Sequence, residues 1–130
     1  MSEWEALSIV PTLGVAKLDR AVEFYESIGF TVKWNYSESD PSATNPSYDE
    51  SSHVGLMFGR TSIMLTACAN AESIQKQGVY FVMKGVKAFH AGLATVIEVP
   101  DLVDSDYGMT DFAVRDPWGH ILTFGEASAG

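Results

Sequence analysis

Few side chains of this 130-residue chain are suited to chemistry, and those that are stand apart from one another. Cys68 is the only cysteine, so no intrachain disulfide is possible, and a lone thiol fits a reducing compartment. To act as a nucleophile it needs a basic or imidazole neighbour to draw off its proton, and none is near it in the sequence. A small buried hydrophobe at a strand end is the plainer reading. His53, His90 and His120 are the three imidazoles, and no two are close enough to form a local ligand pair. Packing or surface roles are expected for all three. Asp116-Pro117-Trp118-Gly119 places proline and glycine where a tight turn favours them.

The elements that carry these groups repeat along the chain. Ala6 to Val15 is rich in β-branched and aliphatic residues and reads as a strand, with Pro11 marking an end, an edge or a bulge because it cannot donate to a ladder. Leu18, Ala21, Val22, Tyr25 and Ile28 form one helical stripe, with Asp19 near its positive end and Gly29 to stop it. Phe30, Val32, Trp34 and Tyr36 alternate onto one face of a strand from Phe30 to Tyr36. A polar loop is expected from Ser37 to Ser52, then strands at His53 to Phe58 and Ser62 to Cys68, joined at Gly59-Arg60. After a polar connector at 69–77 the order returns. It runs through a strand at Gly78 to Lys84, a helix at Val86 to Leu93 and a strand at Val96 to Val99. The acidic loop Asp101 to Asp106 follows, then strands at Tyr107 to Arg115 and His120 to Gly125. Two copies of a unit of about 65 residues mean a duplicated module. The expectation is one α+β domain over 1–130, with βαβββ modules at about 6–68 and 78–126.

Composition narrows the partners. The chain is 46% hydrophobic and 19% charged, the balance of a globular domain and not of a disordered one. Its formal net charge of −9 repels phosphate backbones, which argues against nucleic acid. No apolar run approaches the roughly 18 residues that span a bilayer. The first ten residues hold Glu3 and Glu5 and no Lys or Arg, unlike a signal peptide, so a cytoplasmic location is expected.

Three stretches then carry a resemblance. Val10 to Val15 with Leu18 to Tyr25 and Ile28-Gly29-Phe30, the segment Gly59 to Thr66, and Phe112 to His120 around Asp-Pro-Trp-Gly resemble, in order, the vicinal oxygen chelate superfamily of glyoxalases, bleomycin-resistance proteins and extradiol dioxygenases. The resemblance implies a curled mixed sheet around a U-shaped cleft, completed by a second subunit in a homodimer. It also implies four His or Glu metal ligands on the first, fourth, fifth and eighth strands. Counted from the motifs, those positions fall on Val10, Met64, Val79 (to within one residue) and Thr123, and neither they nor their neighbours are His, Asp or Glu. No metal or other cofactor is therefore expected.

The likeness runs furthest toward metal-free branches that sequester antibiotics. Those relatives place an aromatic and a glycine nine and eight residues before the turn aspartate, the places of Tyr107 and Gly108 here. A rigid aromatic there supplies a stacking face at little entropic cost. Trp34, Tyr36, Phe58, Tyr80 and Phe112 are further candidates to line the cleft, and Met64 would suit an apolar pocket in place of a metal. The expected function is metal-independent binding of a small, planar or aromatic ligand. The alternative is an enzyme of the same family using Asp111, Glu126, Thr123 or Cys68. A third possibility is a cleft that serves only dimerisation or partner binding.

Overall fold

The structure, a computed structural model, describes residues 3–37, 52–68 and 70–128. In α1 (Leu18–Ser27) the apolar stripe does what its spacing requires: Leu18, Ala21, Val22 and Tyr25 are buried. The helix stops at Gly29, whose φ of 108° is open only to glycine, and the Phe30 N–H returns to the Tyr25 carbonyl at 3.0 Å. The stripe covers a sheet of β1 (Thr12–Val15), β2 (Thr31–Ser37), β3 (Ser52–Phe58) and β4 (Thr61–Ala67). Its order is β1-β4-β3-β2, with β1 parallel to β4 and the other pairs antiparallel.

The second module repeats the plan. It consists of β5 (Gly78–Val82), α2 (Val86–Leu93), β6 (Val103–Asp104), β7 (Met109–Arg115) and β8 (Ile121–Ala127), ordered β5-β8-β7-β6 with β5 parallel to β8. The chain is thus α+β, two mixed four-stranded sheets that remain open rather than closing into a barrel.

Four local expectations change. The first strand begins at Thr12 and not at Ala6; Pro11 lends its carbonyl to the Met64 N–H at 2.8 Å and has no N–H to carry a ladder backward. In β2 the alternation breaks at a bulge between Val32 and Trp34. Val32 lies opposite buried Leu56, whereas Trp34 and Tyr36 lie opposite Gly55 and His53. The extra residue turns the two aromatics onto the face away from the core. Val96 to Val99 is not a strand, because the N–H groups of Val96 and Ile97 are held by the Leu93 carbonyl at the end of α2. The second strand of that module is instead the two-residue β6, within the expected acidic loop. Of the expected loop Ser37 to Ser52, the interior lies outside the described residues, and Ser37 and Ser52 themselves end strands.

Two joints hold the modules together. One is aromatic: Phe30 and Phe58 stack at 4.8 Å, Phe58 meets Phe81 of β5 at 5.5 Å, and Phe81 stacks on Phe124 of β8 at 5.0 Å. The inner faces of both sheets therefore share one core. The other joint is the Asp116–His120 turn. Asp116 Oδ1 accepts the N–H groups of Trp118 and His120, each at 2.9 Å, and its Oδ2 accepts the Tyr25 hydroxyl of α1 at 2.8 Å. His120 is fully buried; its Nδ1 accepts the Gln77 N–H at 3.1 Å, which leaves Nε2 to donate to the Gly14 carbonyl of β1 at 2.7 Å. Among the described residues, no helix is long and apolar enough to cross a membrane.

Candidate functional site

Residues that alternate with the core positions face outward on each sheet. On the second sheet the pairings Tyr80↔Thr123 and Asp111↔Gly125 put these four positions on the outer face. The Tyr80 ring lies across Gly125, where an added Cβ would sit 2.0 Å from the Tyr80 hydroxyl and 2.7 Å from its Cζ. That gap lets the phenol reach the next strand, where it donates to Asp111 Oδ2 at 2.8 Å. Tyr107 donates to the same oxygen from the turn that leads into β7. Gly108 holds that turn at a φ of 85°, and its N–H closes on the Ser105 carbonyl at 3.3 Å.

The carboxylate is 8% exposed, while Tyr80 and Tyr107 are 41% and 63% exposed, so a covered anchor pins two open rings. Both phenols ionise above their usual range. For Tyr80 the causes are loss of solvent, then the bond to Asp111 and its charge. For Tyr107 the bond to Asp111 leads. At neutral pH both protons are present and both point inward. The two phenol oxygens also lie within hydrogen-bonding reach of each other, and that of Tyr107 within reach of Ser105, so what this face chiefly offers is π surface. Arg115 shares the face from four positions further along β7, about 13 Å away.

The first sheet has its own outer aromatics. The indole of Trp34 covers Gly55, where a Cβ would sit 2.4 Å from Trp34 Nε1, and Tyr36 stacks on His53 at 6.3 Å. Met64 shares this face by its pairing with Gly55. Phe58 points instead into the joint between modules, and Phe112 is core, 3% exposed and edge-on to His90 at 4.8 Å. The candidates therefore divide into Tyr80, Tyr107 and Gly108 on one outer face, Trp34, Tyr36 and Met64 on another, and two inward phenylalanines. The role of Asp111 as a shared anchor escaped the sequence, which pointed to it only as a possible catalytic acid. The signal available was Gly125, a glycine inside a strand.

The metal-ligand positions need one adjustment. Val79 pairs with buried Leu122 and faces inward, so the outward position beside Thr123 is Tyr80. Val10 precedes β1 and is 46% exposed. A valine, a methionine, a tyrosine held by Asp111 and a threonine do not make a site for a divalent ion. Among the described residues, no three His, Cys, Asp or Glu side chains converge on one. Other reactive groups are engaged elsewhere. Glu126 Oε1 accepts the N–H groups of Gly85 and Val86 at the start of α2, each at 3.0 Å. Those bonds hold its carboxyl below the usual range. The Cys68 thiol lies 3.2 Å from the Ser73 hydroxyl and 3.3 Å from the Asn70 carbonyl.

Beside β5 the modules leave a groove. A cavity of about 500 Å³ lies between Pro11 and Ile63 on one side and β5 on the other. A second, of about 620 Å³, runs on from it past Phe58.

Residues 8–124 match the model of the Glyoxalase/Bleomycin resistance protein/Dioxygenase superfamily. No curated protein matches the chain by sequence. Many solved structures share its fold, three of them as follows. A glyoxalase-related enzyme from Clostridium phytofermentans is 13% identical, with 98% of this chain and 99% of that one covered and a TM-score of 0.73. The bleomycin-binding protein from Streptomyces verticillus, complexed with copper(II)-bleomycin, is 18% identical, with 98% of each chain covered and a TM-score of 0.69. Another bleomycin-binding protein, complexed with bleomycin, is 15% identical, with 95% and 100% covered and a TM-score of 0.70.

Proposed function

The chain belongs to the Glyoxalase/Bleomycin resistance protein/Dioxygenase superfamily, and from that premise we propose that it binds a small planar organic molecule by sequestration, without a metal ion. The observation that carries this reading is the pair of open phenol rings, Tyr80 and Tyr107, pinned to one carboxylate on a sheet face whose metal positions carry no suitable ligands. Rings fixed in this way lose little freedom when a flat ligand stacks on them. The bleomycin complexes of two structural neighbours support a small-molecule role, and the glyoxalase-related neighbour is the reason to test for chemistry as well. The protein acts in the cytoplasm as a homodimer, with a second copy covering outer aromatic surface.

The test is a melting-temperature screen of bleomycin and other planar antibiotics with chelator present, followed by calorimetry of the first ligand that stabilises the protein. Tyr107→Ala is expected to weaken binding about ten- to hundredfold, the range for losing an interface aromatic. Binding that needs added metal, or that ignores Tyr107→Ala, would count against the proposal.

A further inference from the structure

The groove beside β5 has a different chemistry from the outer face. The chain holds 17 acidic and 8 basic residues, yet the 620 Å³ cavity is lined by two cations and no carboxylate. Its floor is aromatic: Phe58 and Phe81 meet edge to face with centroids 5.5 Å apart. Met83 and Val82, the latter 74% exposed, extend the apolar wall. Arg60, in the turn between β3 and β4, and Lys84, just past β5, flank it from the two different modules. Lys84 is within electrostatic reach of Glu126, whose carboxylate already accepts two N–H groups of α2.

Apolar rings below and cations at the edge sort an incoming molecule by polarity along its length. Its apolar part leaves water against the phenylalanines, and a charged end stays hydrated beside a guanidinium and an ammonium. A cation placed there would meet like charge. The volume lies within the range of small-molecule sites. The cavity meets the 500 Å³ cleft at Thr61, Phe81 and Val82, and Tyr80 lines that cleft further along, so the ligand site is confined to the Phe58 end. We infer that this groove is a second ligand site, independent of Tyr107, for an amphipathic anion: an aryl or alkyl body ending in a carboxylate or sulfonate.

Anilinonaphthalene sulfonate is a suitable probe, since it is an aryl anion whose fluorescence rises on leaving water. It is titrated into the full chain and displaced in turn by decanoate, decanol and decylammonium. The expected result is one saturable site per chain, emptied by decanoate at a concentration about tenfold lower than by decylammonium. Arg60→Gln with Lys84→Gln, checked for an unchanged melting temperature, should weaken the sulfonate and decanoate about tenfold and leave decanol as it was. Phe58→Leu should weaken all three, because it removes floor and not charge. Equal displacement by decanoate and decylammonium, or no effect of the double substitution, would overturn the inference. So would loss of probe binding in Tyr107→Ala, which would put the probe on the outer face of the sheet.

Discussion

Asp111 takes a proton from neither Tyr80 nor Tyr107, yet it governs what both can do. Loss of solvent at Tyr80, and at both phenols the bond to Asp111 Oδ2, keep them neutral where an isolated tyrosine would begin to ionise. A phenol whose folded-state value is raised adds stability that is fully present below the unfolded value of 10 and is lost as pH rises through the folded value. Asp111→Asn should therefore bring the ionisation of both tyrosines back toward 10, read as phenolate absorbance during an alkaline titration, and lessen the loss of stability at high pH. Gly125→Ala should act most strongly on Tyr80, whose hydroxyl and ring the new methyl meets first, although it also crowds Asp111 Cβ at 3.0 Å. If both tyrosines titrate as in the wild type after Asp111→Asn, the carboxylate is not the anchor.

Elements followed from pattern where one face was buried and failed where the backbone counted differently. The stripe of α1, the hairpin at Gly59-Arg60 and the Asp116 turn were legible because side-chain spacing and turn chemistry specify them locally. The bulge at Val32/Trp34 was not, since one extra residue leaves composition and hydrophobicity unchanged while reversing every side chain beyond it. Trp34 and Tyr36 were thus expected on one face with Phe30 and Val32, and they lie on the other. The site was legible in its aromatics and hidden in its polar anchor, for Asp111 meets Tyr80 only through the order of three strands. The same kind of distant pairing caps α2. Gly85 has no side chain to cap the helix, and Glu126 of β8 serves instead. A carboxyl whose folded-state value is lowered stabilises above its unfolded value of 4.5, and the effect is lost as pH falls through the lower folded value. Glu126→Ala is expected to melt below the wild type at neutral pH, with the two converging in acid. A constant gap across that range would mean packing and not charge at this contact.

The whole molecule presents surface that one chain does not cover: Trp4, Leu7 and Ile9 are each at least 77% exposed, alongside the outer aromatics. The homodimer proposed above would cover such apolar surface, and sedimentation at micromolar concentration should then give about twice the chain mass of 14.1 kDa. Inside the chain, the question is whether two modules behave as one. Their shared core says so, and the Asp116–His120 turn ties them further, to α1 through Tyr25 and to β1 through Gly14. Tyr25→Phe removes the hydroxyl that satisfies the buried Asp116 Oδ2, at a cost of about 1–3 kcal/mol. His120→Leu leaves the half-buried Gly14 carbonyl without its imidazole partner and frees the Gln77 N–H, at a cost of about 1 kcal/mol or more. The two contacts are not independent, because the His120 N–H is itself bonded to Asp116 at 2.9 Å, so loosening one end of the turn loosens the other. A double-mutant cycle in denaturant should therefore show an interaction of about 0.5–3 kcal/mol between the two substitutions. Unfolding should remain a single transition in every variant. Strict additivity would mean that the turn holds two separate contacts, and a split transition in the double variant would mean that the aromatic core alone does not make the modules one cooperative unit.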